Sequence, residues 1–183
     1  MSERQQLLEL LRQQSYEQRD VVLSSGRRSN FYFDGKQTTL HPYGALWVGR
    51  ACYQALERFP GPVQAVGGPT LGADPMATAT VMVSALEGNP IPAFIIRKEA
   101  KGYGTGQWLE GRKNLPPKAR VVILEDVVTT GGSSMKAVTK AQEAELQVLG
   151  VLALVDRQEG AREYLQEQGV VLESLFTKEE VVG

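Results

Sequence analysis

The stretch VVILEDVVTTGGSS, residues 121 to 134, decides the fold. Val121, Val122, Ile123 and Leu124 form an apolar run that reads as a buried strand, with Glu125 and Asp126 at its carboxyl end. Thr129, Thr130, Gly131, Gly132 and Ser133 then lead into a helix starting at Ser133. Open parallel sheets bind ligands at that edge. Glycines let the backbone approach an anion, exposed amides and hydroxyls satisfy its oxygens, and the helix N-terminus adds a favourable dipole. Two neighbouring carboxylates would repel a bare phosphate. A ribose attached to that phosphate resolves the conflict, because its vicinal hydroxyls donate to the carboxylates, which can also help hold a hydrated magnesium ion. The segment therefore reads as a ribose 5-phosphate site. It contains no Gly-Lys pair, which argues against a nucleoside-triphosphatase loop.

Outward from this segment the pattern is regular. Strand VQAV from Val63, a glycine loop, a helix from about Ala73 to Leu86 and strand AFIIR precede it. Strand VLGVLALV, a short helix and strand VVLESLF follow it. Apolar strands alternating with helices predict a Rossmann-like α/β architecture, a parallel sheet with helices on both faces, because parallel strands need crossovers. Before this region, Leu7, Leu8, Leu10 and Leu11 fall at helical spacing, Phe31, Tyr32 and Phe33 suggest a strand or hairpin, and Pro42 opens a helix that ends near Phe59. His41, ahead of Pro42, reads as structural. One long connection, from Arg97 to about Lys118, lacks an apolar pattern and carries Gly102, Gly104, Gly106 and Gly111, so it reads as a lid.

With 183 residues, 42% of them hydrophobic, the chain is expected to form one domain spanning 1–183. Twenty basic residues against twenty-one acidic ones, with no polybasic block, argue against a nucleic-acid or membrane partner. The lone Cys52 excludes an internal disulfide or thiolate cluster and suits a reducing cytoplasm. The N-terminal MSERQQLLELLRQQ reads as an amphipathic helix rather than a signal peptide. A single histidine supports neither a histidine metal site nor a serine triad, so no protein metal centre is expected.

Three further segments complete the reading. GGPTLGADPMA, residues 67 to 77, offers Gly67, Gly68 and Gly72 as a loop whose amides can converge on pyrophosphate. IIRKEAKGYGTGQWLEG, residues 95 to 111, places Arg97, Lys98 and Lys101 on the long loop. VDRQEGARE ends a strand with Asp156 and Arg157, whose guanidinium fork suits a carboxylate.

The 121–134 segment resembles the signature of type I phosphoribosyltransferases that binds phosphoribosyl diphosphate (PRPP), and the order Arg97, Lys98, Lys101, Gly104 resembles the hallmark of the orotate phosphoribosyltransferases. Tyr103 stands where that hallmark has histidine, many members carry lysine where this chain has Ser24, and some carry lysine where it has Leu71. SGRRSNFYFDGK, residues 25 to 36, resembles the family's N-terminal hood, so residues 1–40 are expected to form it. The resemblance implies transfer of the 5-phosphoribosyl group from PRPP to orotate, giving orotidine 5′-phosphate and pyrophosphate on the route to UMP. It further implies Mg2+ held mainly through PRPP or pyrophosphate, and a homodimer with shared active sites. PRPP would be bound by Arg97, Lys98, Lys101, Glu125, Asp126, Val127, Val128, Thr129, Thr130, Gly131, Gly132 and Ser133, with Lys101, Glu125 and Asp126 catalytic. Orotate would meet Thr129, Arg157, Tyr32 and Phe33, although strand aromatics such as the last two are more often plain core. A purine phosphoribosyltransferase and a PRPP-sensing regulator on the same fold are the alternatives.

Overall fold

A computed structural model of the chain describes residues 1–22, 28–99 and 108–183. Ser24, Lys101, Gly102, Tyr103, Gly104 and Gly106 lie outside the described residues.

The chain begins with helix α1 (Glu3–Leu10), held by a Ser2–Gln5 capping box and continued by a wider turn over Leu11–Ser15. Strands β1 (Tyr16–Val22) and β2 (Arg28–Phe33) pair antiparallel as a separate two-stranded sheet. The short α2 (Lys36–Thr39) leads to α3 (Pro42–Ala55), which starts at Pro42 behind His41 as N-cap.

The main sheet is built from β3 (Ala65–Pro69), β4 (Ala93–Ile96), β5 (Leu109–Glu110), β6 (Arg120–Val128), β7 (Gln147–Asp156) and β8 (Leu172–Thr177). Their order is β5-β4-β3-β6-β7-β8. All neighbours run parallel except β5, which returns antiparallel beside β4. The crossovers are α4 (Ala73–Leu86) after β3, α5 (Gly132–Glu143) after β6 and α6 (Ala161–Glu167) after β7, and α7 (Lys178–Val182) follows β8. This is the Rossmann-like α/β architecture, a largely parallel sheet flanked by helices, that the strand and helix alternation predicts.

Period-two alternation along β6 and β7 divides the core between the two faces. Val122, Leu124, Leu152 and Leu154 pack with Val48, Cys52 and Met76 from α3 and α4, in a cluster that also takes in Leu7, Leu11 and Phe31. Val121, Ile123, Val151 and Ala153 face Ala137, Val138 and Leu165 from α5 and α6.

Several boundaries differ from the sequence reading. β6 does not stop at the acids but continues through Glu125 and Asp126 to Val128, because β7 is long enough to keep pairing as far as Val128 with Asp156. The expected strand at 170–176 is shifted to Leu172–Thr177, since Val170 donates its amide to Leu165 O and finishes the helix instead. β5 and α7 were not anticipated: a two-residue strand has no period to detect, whereas α7 is announced by a Thr177–Glu180 capping box.

Candidate active site

A cavity of about 490 Å³ opens at the carboxyl ends of β3, β4 and β6. Its floor carries Glu125 and Asp126, one wall carries Thr70, Leu71 and Gly72 from the β3–α4 turn, and another carries Arg97 and Lys98 just beyond β4. Ser133, Lys136 and Lys140 enter from α5, and Lys36 comes from α2.

As consecutive strand residues, Glu125 and Asp126 belong to opposite faces of the sheet. On the α5 face Glu125 is 8% exposed, and its Oε2 accepts a hydrogen bond from Ser134 Oγ at 3.0 Å. Burial pushes its carboxyl up to about 7, with the nearby Asp126 charge adding to the effect and the Ser134 hydroxyl opposing it. Asp126 meets the start of α2: Lys36 Nζ stands 3.9 Å from its Oδ2 and 2.6 Å from Asp34 Oδ1. Burial raises the Asp126 pKa as well, against the opposing charge of Lys36 and the Val127 amide. The hydrogen bond to Asp34, with the Asp126 charge adding to it, holds Lys36 above its ordinary value.

Two glycines are required by this geometry. A Cβ on Gly72 would stand 2.3 Å from Asp126 Oδ1, so only glycine lets the β3–α4 turn close onto the acid. Gly131 adopts φ +82, the left-handed turn that converts the end of β6 into α5. The first N–H groups of α5 have no intrahelical acceptor, which gives that turn the donors an anion would need.

The expected site residues fall into groups. The cavity unites Arg97, Lys98, Glu125, Asp126 and Ser133. Thr129, Thr130, Gly131 and Gly132 form the adjoining turn rather than the cavity wall. Val127 and Val128 remain in the ladder with β7, and the Val128 carbonyl accepts from the Arg157 amide at 2.9 Å. That bond brings Arg157 beside the start of the turn. Its side chain is 6% exposed and lies outside the cavity, with Nε 3.0 Å from Glu159 Oε1 and one terminal nitrogen 3.4 Å from the Phe31 carbonyl. Tyr32 and Phe33 point to opposite sides of β2. Arg19 stacks over Tyr32 at 3.8 Å, while Phe33 stacks on Phe31 at 6.0 Å and packs on the core.

Sequence reasoning missed Lys36, Lys136 and Lys140. The last two were available as a helical spacing with Ser133, which places all three on one face of α5. Lys36 offered no such signal beyond its place after a strand and a glycine. Among the described residues, no group of three or more His, Cys, Asp or Glu side chains converges to hold a metal ion. An ion bound chiefly through substrate phosphates needs only one or two protein carboxylates, and Glu125 with Asp126 fits that requirement.

No family model matches the chain. It is 55% identical over 174 residues to an orotate phosphoribosyltransferase of a Nostoc species, covering 95% of this chain and 82% of the relative. Identity to the orotate phosphoribosyltransferase of Aquifex aeolicus is 45% over 185 residues, covering 100% of this chain and 99% of the relative. The crystal structure of the Mycobacterium tuberculosis orotate phosphoribosyltransferase in complex with PRPP superposes with a TM-score of 0.80 at 33% identity, covering 100% of both chains.

Proposed function

From the premise that the chain belongs to the orotate phosphoribosyltransferase family, we propose the roles of its residues in transferring the 5-phosphoribosyl group from PRPP to orotate. The purine and regulator alternatives drop out with that membership. One observation carries the reading: a buried acid, its half-buried acidic neighbour and a set of cations share one cavity at the carboxyl edge of the sheet, beside a glycine turn into a helix.

The 5-phosphate sits on the turn from Thr129 to Ser133, where the α5 amides and the threonine hydroxyls satisfy its oxygens. Asp126 and Glu125 accept hydrogen bonds from the ribose hydroxyls, and the developing oxocarbenium charge at the anomeric carbon is favoured by their negative field. The diphosphate extends toward the Gly72 turn, whose backbone amides serve where Leu71 offers no charge. Arg97 and Lys98 face it from the opposite wall and favour its departure as pyrophosphate, with Lys101 assigned to the same task. Magnesium bound to the diphosphate neutralises part of its charge. Arg157 receives the orotate carboxylate beside Thr129, its guanidinium oriented by Glu159 and the Phe31 carbonyl. Tyr32 and Phe33 are assigned to the same pyrimidine end.

The hood of residues 1–40 belongs to a single domain with the rest of the chain, a reading supported by the cluster that joins Leu7, Leu11 and Phe31 to Leu124. We assign a homodimer, supported by the exposed apolar side chains Leu40, Tyr43, Leu71 and Met82. A cytoplasmic setting is supported by the buried free thiol of Cys52. No helix among the described residues is long and apolar enough to cross a membrane.

The test is the magnesium-dependent loss of orotate absorbance with PRPP present. Asp126→Asn keeps the shape and removes the charge, and is expected to lower kcat by about a hundred-fold, the usual scale for one preorganised electrostatic contact. Thermal stability should hold or rise, because the charge removed is a buried one. A fully active variant removes Asp126 from the mechanism.

A further inference from the structure

Lys140 lies on the α5 face that turns toward the cavity, yet its strongest contacts are elsewhere. Its Nζ donates to the Arg97 carbonyl at 3.0 Å and stands 3.7 Å from the centroid of the Trp108 ring. Arg97 and Trp108 are themselves joined, the Arg97 amide donating to the Trp108 carbonyl at 2.9 Å. One ammonium thus fastens α5 to the end of β4 and to the residue that opens β5. Both backbone polar groups of Arg97 are engaged, and its guanidinium lies 3.0 Å from Glu110 Oε1 on β5.

The same lysine is a partition. It lines the active cavity on one side and, on the other, a second cavity of about 370 Å³ with Trp108, Arg112 and Glu143. An ammonium over an indole face is attracted by the ring quadrupole, and a half-buried, charge-assisted bond to a carbonyl is stronger than a neutral one. Together they favour a fixed place for Lys140 over a solvated one.

We propose that Lys140 is a positioning residue for PRPP turnover: by clamping the Arg97 carbonyl against Trp108, it sets the distance between the Arg97–Lys98 wall and the helix that begins at the phosphate turn. The inference rests on the reading that Arg97 and Lys98 face the diphosphate. A diphosphoryl substrate spanning both walls is sensitive to that separation, because displacement of a binding group by an ångström costs rate even when the group is retained.

The experiment compares Lys140→Met with Lys140→Arg, both in a Trp47→Phe background, which leaves Trp108 as the reporter of the chain's two tryptophans. Lys140→Met is expected to lower kcat/KM for PRPP about ten-fold, the scale of one charge-assisted hydrogen bond. The KM for orotate should stay within about two-fold, since the clamp does not reach the pyrimidine end. The emission of Trp108 should change in the methionine variant and return in the arginine one, whose guanidinium keeps charge, donors and the ability to stack on indole. Combined with Arg97→Ala and Lys98→Ala together, Lys140→Met should add little further loss, because its effect passes through the placement of those two side chains.

Normal PRPP kinetics in Lys140→Met alongside an impaired Arg97→Ala would overturn the inference while leaving the site reading intact. So would full additivity when Lys140→Met is added to the paired Arg97→Ala and Lys98→Ala changes, or an equal loss toward PRPP and orotate accompanied by a lower melting temperature, which is the mark of a merely structural lysine. Normal PRPP kinetics in Arg97→Ala would instead bring down the site reading and the inference with it, and the Trp108 emission would still report whether the contact exists.

Discussion

At 8% exposure, Glu125 is held where its neutral form is favoured, with a pKa pushed up to about 7 from the ordinary 4.5. The folded chain therefore binds a proton more tightly there than the unfolded chain does. Stability from this group is complete below the unfolded value and is lost as pH rises through the folded one, by roughly 3 kcal/mol in total. Between those two pH values the melting temperature of the ligand-free protein should fall as pH rises, and Glu125→Gln should flatten that slope. An unchanged slope in the variant would assign the titration to another group. Arg157 poses a different question at the same scale, because its guanidinium is buried and bonded to Glu159 and the Phe31 carbonyl. Arg157→Ala should raise the KM for orotate by roughly thirty-fold, equivalent to about 2 kcal/mol for a buried charged hydrogen bond, with the KM for PRPP little changed. Some stability should be lost too, since Glu159 is left without this partner. Steady-state kinetics with each substrate varied in turn separate the two effects, and equal changes in both constants would reject the orotate role.

Among the elements, the passage from β6 to α5 carries the most information. The strand is driven by Val121 to Leu124, and the turn is possible because Gly131 takes φ +82. A Cβ at that position would stand 3.0 Å from Tyr164 Cδ1 and 3.2 Å from Leu165 Cγ on α6, so the turn is packed from behind as well. Gly131→Ala should cost about 1–2 kcal/mol of stability through its backbone conformation and raise the KM for PRPP by moving the amides. Gly160 gives the control: its φ is +96, but nothing lies within 4 Å of a Cβ placed there. Gly160→Ala should therefore strain the backbone without moving the PRPP constant. Paired melting curves and PRPP titrations decide the matter, and indistinguishable behaviour of the two variants would dissociate the turn from phosphate binding. The expected helix over Ala73–Leu86 is present at those limits, because its apolar stretch and the glycine turn before it are local signals. The pairing of Glu125 to Val128 with β7 was illegible beside it, since how far a strand extends depends on the length of its neighbour.

Across the whole molecule, the two ends of the described chain are bound together. Arg12 donates to the Glu180 and Val181 carbonyls, and Arg4 pairs with Glu180 at 2.5 Å, so α1 is fastened to α7. The proposed homodimer is tested at this scale by subunit exchange between Lys101→Ala and Asp126→Asn. If the Lys101 segment of one subunit serves the site of the other, random mixing should restore roughly a quarter of wild-type sites, as two-fold symmetry requires. Heterodimers that form without regaining activity would mean that each chain serves its own site. The sequence by itself determined the alternation of strands and helices, the glycine turn after β6 and the family, because run length, periodicity, glycine placement and contiguous motifs are written in neighbouring residues. Only the tertiary structure decided that Glu125 and Asp126 lie on opposite faces of the sheet within one cavity, that Lys36 of α2 pairs with Asp126, that Lys136 and Lys140 enter the cavity, and that Arg157 leans on Glu159. Those facts depend on how elements distant along the chain pack together, and on the burial that packing creates, which no local pattern of residues encodes.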